Sequence, residues 1–177
     1  MTVLLLIIAA IIVAVLVYAA TKPGTFSISR SAEIAAPAAR IFPLVNDLAD
    51  HAKWSPFAQD PKTKHVVSTP SAGTGARIDF DGSCRGSLSV TDSKPDAKIA
   101  MQLLMTKPMS CDNAIEFSFV PKGASTNVTW AMSGSQPYLG KLMSVFINCD
   151  RMVGKQFEEG LANLRKLSEQ KSLQAAE

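Results

Sequence analysis

Residues 98–132 read KIAMQLLMTKPMSCDNAIEFSFVPKGASTNVTWAM, and this stretch decides the fold. Ile99, Met101, Leu103 and Met105 occupy every second position and so share one face. After Lys107-Pro108 the alternation resumes, with Ile115, Phe117 and Phe119 set against Glu116 and Ser118. After Pro121-Lys122-Gly123 it returns once more, with Val128, Trp130 and Met132 set against Asn127 and Thr129. A period of two interrupted by proline and glycine marks half-buried strands joined by short turns. Consecutive strands joined this way run antiparallel, with one wet face and one apolar face.

The same alternation extends upstream. Gly73 and Gly75 precede a strand with Ile78 and Phe80 on one face and Arg77, Asp79 and Asp81 on the other. Gly82 and the Ser83–Gly86 segment turn it into Leu88 and Val90, and Ser93-Lys94-Pro95-Asp96 makes the next turn. The meander thus spans His65 to Met132. Nearer the N-terminus, Phe26, Ile28, Ala32 and Ile34 alternate with Ser27, Ser29, Ser31 and Glu33, predicting one more strand. Arg30 falls on its apolar face; a bulge, or a strand end from which the side chain reaches water, is the expected accommodation. Ala36-Pro37 opens a short helix carrying Ile41, Leu44, Val45 and Leu48, and a second short helix ends near Trp54. Trp54-Ser55-Pro56-Phe57 is a loop whose two rings are expected to pack against or cap the core.

Downstream, Leu139–Phe146 predicts a turn or two of helix, broken near Asn148-Cys149-Asp150. Val153, Phe157, Leu161 and Leu164 then form a helical stripe, while Lys155, Glu158, Glu159 and Arg165 face elsewhere. Gly154 and Gly160 each cost such a helix roughly 1 kcal/mol relative to alanine, and close approach to the sheet is the expected reason for them. A one-sided sheet needs a cover, and this helix is the element long enough to supply it. The predicted class is α+β: a curved antiparallel sheet wrapped around a long C-terminal helix, with a cavity between them.

One segment stands outside this domain. Residues 3–20, VLLLIIAAIIVAVLVYAA, hold no charge, proline or glycine. As a helix they span roughly 27 Å, close to the hydrocarbon thickness of a bilayer. Tyr18 and Lys22 suit the interface at one end. A cleaved signal peptide is the rival reading; no Lys or Arg precedes the run, and its apolar core is longer than usual. A buried core helix is the third reading, against the unbroken apolarity. The expected organisation is an anchor over residues 1–22, a globular domain over 23–170 and a frayed tail over 171–177. Thr21-Lys22-Pro23-Gly24 is too short for a flexible tether, so the domain should sit against the membrane surface. Lys22 and Arg30 follow the span and only Met1 and Thr2 precede it, which leans toward a single-pass inner-membrane protein with a cytoplasmic domain.

Charge and cysteine content exclude several classes. Eighteen Lys and Arg against fifteen Asp and Glu give a net charge of +3, without the basic runs of a nucleic-acid surface. Three scattered cysteines, Cys84, Cys111 and Cys149, fit neither a disulfide framework nor a metal-ligand spacing and agree with a reducing compartment. His51 and His65 stand fourteen apart with no cysteine neighbour, and exposure is their expected state.

Several motifs carry a family resemblance. Arg30-Ser31-Ala32-Glu33-Ile34-Ala35-Ala36-Pro37, Ile41-Phe42 and Trp54-Ser55-Pro56-Phe57 resemble the opening of the polyketide cyclase/dehydrase branch of the START/Bet v1-like superfamily. Thr129-Trp130 with Gly134, and Met152-Val153-Gly154 with Phe157-Glu158-Glu159-Gly160-Leu161 and Leu164, resemble its end. The resemblance covers about Phe26 to Leu167 and implies a helix-grip fold with an apolar ligand cavity. It does not imply a cyclase activity, since a fold does not carry one.

A catalytic site is not evident. Acid-base work needs an ionisable group held in an apolar pocket, and none of the inward meander positions is ionisable. Cys111 and Cys149 have no visible base. Asn127-Val128-Thr129 matches a glycosylation sequon but lies in a strand. No metal or other cofactor is expected. The expected ligand-binding set begins with the flexible, polarisable Met101, Met105 and Met132 beside Leu103. It continues with the rings of Phe80, Phe117, Phe119, Trp130 and Phe157, with Trp54 and Phe57 from the loop. Tyr138, Gln136 and the Trp130 indole are the expected polar handles. The function this favours is a membrane-anchored module holding a hydrophobic small molecule or lipid. The alternatives are an accessory subunit of a membrane protein complex, or a cyclase/hydrolase-type enzyme on a polyketide-like or aromatic substrate.

Overall fold

The computed structural model describes the backbone of residues 1–174 and the side chains through residue 170. Its helices are α1 (Thr2–Thr21), α2 (Ala38–Asn46), α3 (His51–Trp54), α4 (Tyr138–Phe146) and α5 (Cys149–Gln174). Its strands are β1 (Thr25–Ile34), β2 (Lys64–Val67), β3 (Arg77–Asp81), β4 (Arg85–Lys94), β5 (Lys98–Lys107), β6 (Cys111–Lys122) and β7 (Ser125–Ser135). The strands form one antiparallel sheet in the order β1-β7-β6-β5-β4-β3-β2. The meander pairs neighbour with neighbour, and β1 closes it on β7 in a continuous register from Thr25↔Ser135 to Ile34↔Thr126. Register shifts at Arg85/Gly86 and Val90/Asp92 bend the β4–β5 pair, as extra residues in a ladder do.

The register aligns the inward residues in rows. Arg30, Trp130, Phe117 and Ile99 stand across β1, β7, β6 and β5, and Ile28, Met132, Ile115 and Met101 form the row beside them. On the next row Phe26, Gly134, Asn113 and Leu103 lie at the end of the sheet that adjoins α1 and α4. Helix α5 lies over the apolar face, burying Phe157, Leu161 and Leu164 to 1 % exposure or less. Full burial of such side chains contributes roughly 1.5–3 kcal/mol each. This is a helix-grip fold.

Both glycines of α5 sit where the helix touches the sheet. A Cβ at Gly160 would stand 2.7 Å from Trp130 Cζ3 and 3.2 Å from Pro56 Cδ, and one at Gly154 would run into the Arg30 guanidinium. Arg30 therefore corrects the expectation of a bulge or a free strand end. Strand β1 is regular there, and the side chain extends beneath α5 to Glu158 Oε1 at 2.9 Å and Asp150 Oδ2 at 3.0 Å. The two carboxylates raise the guanidinium pKa, and the Arg30 hydrogen bonds hold Asp150 below the usual carboxylate range. Glu158 thus has a partner where a plain outward position was expected. Asn148 accepts a hydrogen bond from Arg151 N–H at 2.9 Å, a side-chain cap at the expected break before α5. The tail from residue 171, expected to fray, is helical to Gln174, and its last part, 175–177, lies outside the described residues.

Helix α1 exposes nearly its whole surface, with Ala19 its one buried residue. A core helix of a soluble protein would be buried, so that reading does not describe it. Its length and composition fit a membrane anchor or a signal sequence.

Candidate functional site

The apolar face of the sheet divides into two halves. Over the half farther from α1, aromatic rings fill the space beneath the helices. Trp130 and Phe157 stack with centroids 4.2 Å apart and planes 8° from parallel, and Phe117 stacks with Trp130 at 4.9 Å and 30°. Trp54 meets Trp130 and Phe117 edge-on at 5.4 and 5.7 Å. Its indole N–H donates to the Leu44 carbonyl at 2.9 Å, and Asn163 holds its carbonyl at 3.1 Å. The end of α3 therefore inserts Trp54 as a core residue, which the Trp-Ser-Pro-Phe sequence left open between capping and packing. Edge-to-face pairs of this kind add about 0.5–1.5 kcal/mol each beyond area burial. Phe119 packs on Phe42 at 5.7 Å, and Met101 is 3 % exposed within the same core.

The half adjoining α1 is less covered. Phe26, Phe80, Leu103 and Met132 are half-buried and pack on the edge of the core. Met105 is also half-buried, opposite Gly86 on one side and Cys111 on the other. Among them Asn113 is 6 % exposed; its amide reaches only the sulfurs of Cys111 at 3.4 Å and Met132 at 3.9 Å. Its Oδ1 has no protein partner, and neither has the buried Trp130 Nε1. An unpaired buried polar atom costs roughly 1–3 kcal/mol, a cost that a hydrogen bond to either atom would relieve. Asn113 escaped the sequence reading, although it stands two residues before Ile115, in phase with the apolar face. A polar side chain in phase with apolar neighbours was the available signal.

The remaining expected site residues lie apart from this face or at its rim. Tyr138 is on α4, and its hydroxyl donates to the Leu16 carbonyl of α1 at 2.9 Å. Gln136 donates to the Gly140 carbonyl at 3.3 Å. Both expected polar handles thus have partners within the chain. Phe57 sits at the surface, 45 % exposed, edge-on to Trp130 at 5.9 Å and to Phe157 at 6.2 Å. His65 lies against Phe80 at 6.4 Å and is exposed as expected. His51 is not: it packs edge-on to Trp54 at 5.2 Å, and burial, with a smaller contribution from His65, pushes its pKa down to about 4. A histidine so far below neutrality is a weak base for proton abstraction. Burial pushes the Cys111 thiol up, away from the reactive thiolate. Among the described residues, no group of three or more His, Cys, Asp and Glu is placed to hold a metal ion.

Residues 25–169 match the family described as polyketide cyclase / dehydrase and lipid transport. The sequence matches none of the curated proteins. Among solved structures, a Thalictrum flavum norcoclaurine synthase point mutant, in complex with a transition-state analogue, superposes with TM-score 0.62 at 16 % identity. That alignment covers 84 % of this chain and 96 % of the other. A Chromobacterium violaceum protein superposes with TM-score 0.60 at 17 % identity, over 84 % of this chain and 99 % of its own. A Mesorhizobium loti protein gives 0.60 at 11 % identity, over 82 % and 98 %. At such identities the likeness is one of fold.

Proposed function

The chain belongs to the polyketide cyclase / dehydrase and lipid transport family, and from that premise we propose that it is a membrane-anchored module that holds a hydrophobic small molecule or lipid. In this reading α1 anchors it as a single pass through the inner membrane, and the binding domain, about residues 23–170, stands on the cytoplasmic side. The observation that carries the proposal is the half-covered end of the apolar face, where Leu103, Met105 and Met132 flank the unpartnered Asn113 Oδ1. That end adjoins α1, so a ligand leaving the bilayer has a short path to it. Apolar area drives binding, and Asn113 Oδ1 accepts a hydrogen bond from the ligand. A second reading, an accessory subunit of a membrane complex, draws support from the stacked rings that fill the other half of the face.

Native mass spectrometry of the full chain released from detergent tests the proposal. The expected result is a stoichiometric apolar adduct that organic extraction removes. Leu103→Trp should abolish the adduct with little loss of thermal stability, because Leu103 is only half-buried. Absence of an adduct from the unaltered protein, with Leu103→Trp strongly destabilising, would leave the accessory subunit as the reading.

A further inference from the structure

We propose that α4 is an interfacial helix that lies in the boundary between lipid headgroups and acyl chains, beside the end of α1. The proposal rests on the reading of α1 as a membrane anchor. Leu139, Met143 and Phe146 recur at i, i+4 and i+7 along α4 and are all exposed, Phe146 to 74 %. On its other side α4 packs against the last turns of α1, where Ala19 is fully buried. Among the residues of α4, Lys141 alone is charged. A helix with that pattern is stable where water is excluded.

Two bonds set its level. The Tyr138 hydroxyl donates to the Leu16 carbonyl, inside the apolar run of α1, and Lys22 Nζ donates to the Ser144 carbonyl at 2.7 Å and reaches its hydroxyl at 3.1 Å. Once α1 crosses the bilayer, α4 is held at the depth of the last turns of the span. Its exposed stripe then meets lipid as a continuation of the apolar surface of α1. Tyr18, Tyr138, Lys22 and Lys141 provide the aromatic and basic side chains suited to the headgroup level, and no acidic residue lies between Gln136 and Cys149. A bilayer interface therefore fits this stripe better than a water-soluble partner. Through Ser135 and Gln136, whose N–H donates to the Gly24 carbonyl at 2.7 Å, α4 is coupled directly to the end of the sheet with the half-covered apolar face. Seating α4 in the interface holds that end toward the lipid.

The test is quenching by brominated phospholipid of the full chain in lipid nanodiscs. Phe146→Trp and, as a second reporter, Leu139→Trp place an indole on the stripe, while Leu6→Trp reports the span. The native Trp54 and Trp130, both buried in the domain, give the background. Bromine near the headgroup end of the acyl chain should remove most of the fluorescence added at 146 and at 139, and should also quench Leu6→Trp, which lies just inside the opposite end of the span. Quenching at Leu6→Trp alone leaves the anchor standing and overturns the interfacial helix. Blue-shifted but unquenched emission at 146 and 139 assigns the stripe to a protein neighbour and also overturns it. Absence of quenching at all three positions overturns the anchor reading on which the proposal rests.

Discussion

At the scale of single residues, close packing at Gly160 and burial at His51 each have a measurable consequence. Gly160 accommodates the Trp130 ring, whose nearest atom would lie 2.7 Å from an added Cβ. Elsewhere in a helix Gly→Ala gains up to about 1 kcal/mol. Here Gly160→Ala should lose roughly 1–3 kcal/mol by overpacking, a reversal of sign readable by chemical denaturation. His51 is equally specific. Its folded pKa of about 4 lies below the ordinary 6.5, so the unfolded chain binds the extra proton between those values. Stability is therefore full above the unfolded pKa and falls as pH drops through that window, by on the order of 3 kcal/mol from this group. Denaturation midpoints of His51→Gln should show a correspondingly smaller acid loss between pH 7 and 4; an unchanged slope would place the acid sensitivity elsewhere.

At the scale of elements, the grip of α5 on the sheet rests on its apolar stripe. Phe157 stacks on Trp130 and is 1 % exposed, so Phe157→Ala should cost roughly 3–5 kcal/mol. Lys155→Ala, on the outer face, should change stability by no more than about 0.5 kcal/mol. Glu158→Ala belongs between them. It removes the contact with Arg30 Nε, and its small effect should shrink further as salt screens the exposed pair. Urea titrations of the three variants rank these contributions; equal losses at 155 and 157 would contradict the helical phase.

At the scale of the whole molecule, α1 and the rest of the chain meet along α4 and the ends of β1 and β7. An uncleaved α1 should give an intact protein mass that includes residues 2–21, whereas a product beginning near Ala20 or Thr21 would identify a signal sequence. The same scale decides where a ligand space can be tested. Met101 lies in the filled half of the face, and Met101→Trp should overpack it at roughly 1–3 kcal/mol. Leu103, one row closer to α1, is half-buried and is the position where a larger ring should be tolerated.

Periodicity in the sequence alone determined the strands of the meander, the buried stripe of α5 and the apolar span. Each depends on residues within a few positions of one another, and side-chain direction follows directly from a period of two or of 3.6. The glycines of α5 were legible too, since their helical cost demanded a close approach. Tertiary structure alone decided which inward residues lie beneath α5 and which lie beyond its end. It turned Arg30 toward Glu158, 128 positions away, left Asn113 with an unpaired oxygen and drew the Tyr138 hydroxyl to the Leu16 carbonyl. These outcomes depend on where one rigid element crosses another, a property of packed surfaces that no local pattern of residues encodes.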